Sequence, residues 1–176
     1  MEGGVTVNLH GGGAQTNING LKFEQDTNIA QALAENGYSV DDKYRIYDDK
    51  GNEVGMDIGK NRLYKNLLEP NNVDYRALVS KKLLPDEAVY IYKKNTVYII
   101  EKKFQRTNGS TDEKLQTCDF KNRQYKKLFS KIGIEVKYIY LLNDWFLRQE
   151  YSDVKEYILD VGCYYFFNKI PVNFLF

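Results

Sequence analysis

The stretch PDEAVYIYKKNTVYIIEKKFQ, residues 85–105, sets three chemically useful groups on two apolar strands. Asp86 stands where the first strand begins, and Glu101 and Lys103 stand at the far end of the second. Side chains alternate along a strand, so Glu101, Lys103 and Gln105 project from one face and Ile100, Lys102 and Phe104 from the other. A turn at Lys93-Lys94-Asn95 folds the strands to within about 5 Å of each other, which lets Asp86 approach Glu101. Two carboxylates held that close resist joint ionisation, and a divalent cation removes the conflict. Mg²⁺ takes oxygen ligands, polarises a phosphodiester oxygen and lowers the pKa of a bound water. An ammonium beside it stabilises developing charge. Such a site would bind a metal ion and hydrolyse phosphodiesters. The same residues also fit an ordinary hairpin with salt bridges at its ends, and the hairpin alone weighs equally on both sides.

The elements that must position these groups follow from local pattern. Ile18, Leu21, Gln25, Ile29 and Leu33 recur at three or four residues and predict a helix from Ile18 to Glu35, stopped by Gly37. The run Gly11-Gly12-Gly13 before it predicts a loop. Residues 43–59 read as a hairpin about the turn Asp49-Lys50-Gly51-Asn52, followed by a short helix from Arg62 to Glu69. After the 88–104 hairpin, Asp119 is expected to cap a helix. Phe120, Gln124, Leu128, Phe129 and Ile132 would form its inner face, and Gly133 would end it. EVKYIYLL reads as a strand, DVKEYILDV as a helix and CYYFF as a last strand. Strands separated by helices need crossovers and hairpins give antiparallel pairs. The expectation is an α/β fold with a helix-flanked central mixed β-sheet.

Composition bounds the partners. With 176 residues the chain is read as a single domain, 1–176, long enough for a real core. Hydrophobic content of 43% with 28% charged residues excludes a disordered polypeptide. No apolar run approaches bilayer length, and the first 20 residues lack the core of a secretory signal. Two cysteines, Cys118 and Cys163, without a CxxC argue for packed thiols and a reducing cytoplasm rather than a disulfide framework or zinc site. His10 is the single histidine and reads as a loop residue. Net charge is +1, yet residues 101–137 carry ten Lys or Arg against five Asp or Glu. Such a window suits a phosphate backbone or, more blandly, a solvated helix face.

Pro85-Asp86, then 14 residues, then Glu101-Lys102-Lys103 resembles the bipartite motif of the PD-(D/E)xK nuclease superfamily. GGGAQTNINGLKFE is similar to the Gly-rich segment and helix that open many type II restriction endonucleases. GSTDEKLQTCDFKNRQYKKL is similar to the helix after their catalytic strand. The resemblance spans roughly residues 9–130, and it implies a restriction-endonuclease-like core. It implies that Asp86 and Glu101 bind Mg²⁺, with Mn²⁺ able to substitute. It implies that Lys103 is the catalytic lysine, and that Glu24 is the helix glutamate that joins the metal site, often through water. The chain is short for a restriction enzyme, which leaves little for a separate recognition region.

Several residues are expected to touch double-stranded DNA. Lys121, Arg123, Lys126 and Lys127 would meet phosphates and carry no base information. Arg106 and Asn108, on the loop leaving the catalytic strand, have side chains able to read guanine and adenine edges. Gln105 and Lys114 are auxiliaries by facing and proximity. The expected protein is therefore a Mg²⁺-dependent endonuclease of the type II restriction kind. Cutting both strands of a symmetric site asks for two active sites, hence a homodimer. A repair or junction-resolving nuclease on the same core, and a non-catalytic nucleic-acid-binding module, are the alternatives.

Overall fold

The computed structural model describes residues 12–107 and 111–176, with side chains from 18 to 107 and from 113 to 176. Among them one mixed sheet holds seven strands in chain order. These are β1 (Ser39–Val40), β2 (Arg45–Tyr47), β3 (Glu53–Asp57), β4 (Glu87–Ile91), β5 (Thr96–Lys103), β6 (Glu135–Leu142) and β7 (Tyr164–Phe167). Neighbours from β1 to β5 pair antiparallel, while β5–β6 and β6–β7 pair parallel. Each parallel step needs a crossover. Helices α3 (Thr111–Leu115) and α4 (Cys118–Phe129) lie between β5 and β6, and α5 (Ser152–Asp160) lies between β6 and β7. The expected α/β class with a mixed, helix-flanked sheet is what the chain adopts. No helix among the described residues is long and apolar enough to cross a membrane.

Two cores sandwich the sheet. Val97 and Ile99 of β5, with Tyr138, Tyr140 and Leu142 of β6, pack under Tyr125, Leu128 and Phe129 of α4 and the helical segment Leu63–Leu68. Tyr98, Ile100, Ile139 and Leu141 face the other way, onto Phe23 of α1 (Gly12–Asp26), Ile29 and Leu33 of α2 (Ile29–Ala34) and Leu175 of α6 (Val172–Leu175). Strand β5 is covered on both faces, as its near-continuous apolar run requires. Each such buried side chain contributes roughly 1.5–3 kcal/mol. The charged end of β5 therefore continues directly from a segment buried on both faces.

Three local expectations are corrected. The single helix expected over 18–35 is two, broken where Asn28 leaves helical geometry and its side chain accepts from the Ala30 N–H to cap α2. The periodicity runs straight through this break because both helices pack on the same core. Gly12 and Gly13, expected in a loop, form the first turn of α1, while Gly11 and His10 lie outside the described residues. Helix α4 is entered at Thr117 rather than capped by Asp119, which instead pairs with Arg123 one turn on, at 2.9 Å. This start turns Cys118, Asn122, Tyr125 and Phe129 onto the sheet and leaves Phe120 65% exposed, against the expected inner face. Both cysteines are buried free thiols.

Close approach of β3 to β4 depends on Gly55, which pairs with Ile91. A Cβ there would collide with the Tyr90 carbonyl oxygen, a backbone atom that cannot swing away. Gly55→Ala is expected to cost about 1–3 kcal/mol, the usual penalty for overpacking. An unchanged urea midpoint would show that the strands part freely.

Candidate active site

Register brings the charged ends together. Glu87 of β4 pairs with Ile100 of β5 as the last rung of that antiparallel ladder, and Asp86 and Glu101 each lie one residue beyond it. The charges of Asp86 and Glu101 both act on Tyr125 of α4, so both carboxylates lie toward the side that α4 covers. Asp86 Oδ2 accepts the Lys102 backbone N–H at 2.9 Å, which ties the start of β4 to the end of β5. Glu101 is 8% exposed at the edge of the α4-side core. Its Oε2 lies 3.4 Å from Lys103 Nζ and 3.4 Å from Lys121 Nζ. Lys103 Nζ also donates to the Lys102 carbonyl at 3.1 Å and stands 5.9 Å from the Tyr140 ring centre. One carboxylate oxygen thus carries two ammonium groups.

Tyr125 of α4 sits over this cluster. Burial pushes its phenol well above the usual range, and the negative charges of Glu101 and Asp86 push it further in the same direction. Its hydroxyl stays protonated and is available as a donor. Burial likewise pushes Tyr140, on the neighbouring strand, up to about 12.

The opposite face carries a separate network. Lys102 Nζ lies 3.1 Å from Glu87 Oε1 and donates to the Glu24 backbone carbonyl at 2.7 Å. Glu87 Oε1 also accepts the Ile29 N–H, at the start of α2. Desolvation pushes Glu87 above the usual carboxylate range, against the opposing pull of Lys102. Nearby, Asp57 accepts from Arg62 at 2.6 Å and from the Gly59 N–H at 2.9 Å.

The expected residues divide accordingly. Asp86, Glu101 and Lys103 share one face and one end of the sheet. Glu24 does not join them: the structure ties its carbonyl to Lys102 on the far face, and its side chain is exposed. The described residues contain no group of three His, Cys, Asp or Glu arranged to hold a metal. The available oxygen donors are the two carboxylates and the Lys102 carbonyl, a set suited to an ion that keeps several waters. Lys121, expected on phosphates, reaches inward to Glu101. Arg123 is paired with Asp119, and Lys114 and Lys126 are exposed. Arg106 is exposed with its guanidinium 5.5 Å from the Phe104 ring centre, and Asn108 lies outside the described residues. Gln105 is buried, with its backbone clasped on both sides by the Asn143 side chain.

Sequence reasoning missed the lysines on the approach to the motif. Lys81 and Lys82, with Leu83 and Leu84, form one wall of a cavity of about 370 Å³ that reaches Glu101. Phe120, Lys121, Gln124 and Tyr125 of α4 line the other wall. The dibasic pair just ahead of Pro85-Asp86 was the available signal. No family model, curated protein or solved structure matches this chain.

Proposed function

We propose that the chain is a divalent-metal-dependent endonuclease hydrolysing DNA phosphodiester bonds, of the type II restriction kind. The observation that carries this reading is the Glu101 carboxylate 3.4 Å from Lys103 Nζ at the end of β5, with Asp86 one residue before the paired start of β4. The order of helix, antiparallel β3–β4–β5, crossover helix and parallel β6 supports a restriction-endonuclease-like core. Asp86 and Glu101 would hold Mg²⁺, which supplies Lewis-acid polarisation of the phosphate and a bound water of lowered pKa. Lys103 sets a fixed positive charge where negative charge develops, and burial strengthens that interaction.

Lys121 balances Glu101 until a cation arrives. Removing this competing charge by Lys121→Met is expected to tighten Mn²⁺ binding on the order of two- to fivefold, the range of a partly exposed ion pair. Unchanged or weaker Mn²⁺ affinity by titration calorimetry would remove Lys121 from that role. The function itself is tested by incubating mixed DNA with Mg²⁺ or Mn²⁺ and sequencing the ends. Discrete fragments support restriction, and structure-dependent nicking supports the junction-resolving alternative. Absence of any metal-dependent cleavage would leave a nucleic-acid-binding module.

A further inference from the structure

The cavity over Glu101 has a composition that the hydrolytic groups do not require. Phe120, 65% exposed, and Leu84, 52% exposed, bring large apolar surfaces to its two walls. Lys81, Lys82 and Lys121 surround them. Among the described residues neither Lys81 nor Lys82 takes part in an ion pair. The wall that bears them is built rather than loose. The buried Tyr64 hydroxyl donates to the Leu83 carbonyl at 2.8 Å and accepts the Leu83 N–H at 2.7 Å. Lys82 Nζ rests 4.4 Å from the same ring's centre. The next residues along the chain are Pro85 and Asp86.

An aromatic face among lysines matches a ligand that has both a π-face and phosphates. Inside a duplex the base faces are covered by their neighbours, so an aromatic side chain can stack only on a nucleotide that has left the stack. A cavity of about 370 Å³ lies at the small-ligand end of pocket sizes, far below what a double helix would fill. We propose that this cavity binds one unpaired or extruded nucleotide of a DNA strand, its base on Phe120 and its flanking phosphates on Lys81 and Lys82. The site deepens the nuclease reading, on which it rests for the role of the bound strand. It makes Phe120 a positioning residue, because the wall under the phosphates leads straight into Asp86.

The test separates binding from cleavage. The full chain is titrated, without divalent metal, against a mixed-sequence single-stranded 12-mer carrying 2-aminopurine and against the matching blunt duplex. Tighter single-strand binding with quenched 2-aminopurine emission is expected. Phe120→Ala should weaken single-strand binding roughly tenfold and abolish the quench, whereas Phe120→Trp should restore both. Lys81→Ala and Lys82→Ala should each lower the slope of log affinity against log salt by about 0.7. The proposal is overturned if Phe120→Ala binds the single strand as the wild type does, if the duplex binds more tightly with no quench, or if the substitution alters only the oligomeric state. Loss of cleavage with these binding results intact would overturn the hydrolase reading and leave the nucleotide site standing.

Discussion

Glu101→Gln and Lys103→Ala should each lower Mg²⁺-dependent DNA cleavage by at least about 10²–10³-fold while leaving the fold intact. Glutamine keeps the shape of Glu101 and removes the charge that two ammonium groups and a metal ion would share. Lys103 has a 15% exposed side chain at the end of β5, so its truncation opens a small solvent-reachable gap rather than a core cavity. Asp86→Asn is a less clean probe. Its carboxylate also accepts the Lys102 N–H, and a flipped amide would face that donor with another. Single-turnover cleavage of plasmid DNA, with circular dichroism to verify folding, checks the result. Wild-type rates for both Glu101→Gln and Lys103→Ala would end the case for hydrolysis at this face. Mn²⁺ titration gives an independent reading, since Glu101→Gln should lose metal affinity and Lys103→Ala should not.

The second large effect concerns stability and lies on the other face. Lys102→Met is expected to destabilise the protein by about 3–5 kcal/mol. The Lys102 and Glu87 side chains are only 4% and 14% exposed, and removing the lysine strands a buried carboxylate. Lys102→Met combined with Glu87→Leu should recover part of the loss, because an apolar pair leaves no buried charge, while the Ile29 N–H and the Glu24 carbonyl lose their partners. Urea unfolding of the single and the double variant against the wild type checks both halves. A single-variant loss below about 1 kcal/mol would show that water reaches the pair in the folded state. The pair also sets a pH dependence. Desolvation holds Glu87 above its unfolded value of about 4.3, so the native state keeps a proton that the unfolded state has released. The contribution of Glu87 is therefore most favourable below that unfolded value. It is lost as pH rises through the higher folded value. Glu87→Gln should flatten this segment of the stability profile.

These two faces explain how far the site was legible. Strand alternation needs no tertiary information, so Glu101 and Lys103 could be assigned to one face and Lys102 to the other from the sequence. A short turn fixes hairpin register closely, so the antiparallel pairing of β4 with β5 up to Glu87 and Ile100 was also readable. Glu24 was placed by likeness to a motif, and the chain instead uses that end of α1 to receive Lys102 through a backbone carbonyl. A carbonyl acceptor leaves no trace in residue type. Phe120 was misread because helical periodicity fixes spacing and not the absolute rotation of a helix about its axis. The entry at Thr117 and the packing of Tyr125 and Phe129 set that rotation.

The sequence by itself determined six of the seven strands, the mixed sheet they imply, and the facing of the charged end of β5, whereas the two-residue β1 is too short to leave a pattern and was not read. Only the tertiary structure decided that Lys121, 20 residues beyond Glu101, reaches the same carboxylate oxygen, and that Glu87 and Lys102 close a buried pair at the start of α2. It also set Lys81, Lys82 and Phe120 around one cavity. The reason is physical: these placements depend on how helices settle on the two sheet faces. That choice is made by the summed packing of both cores and not by any local pattern.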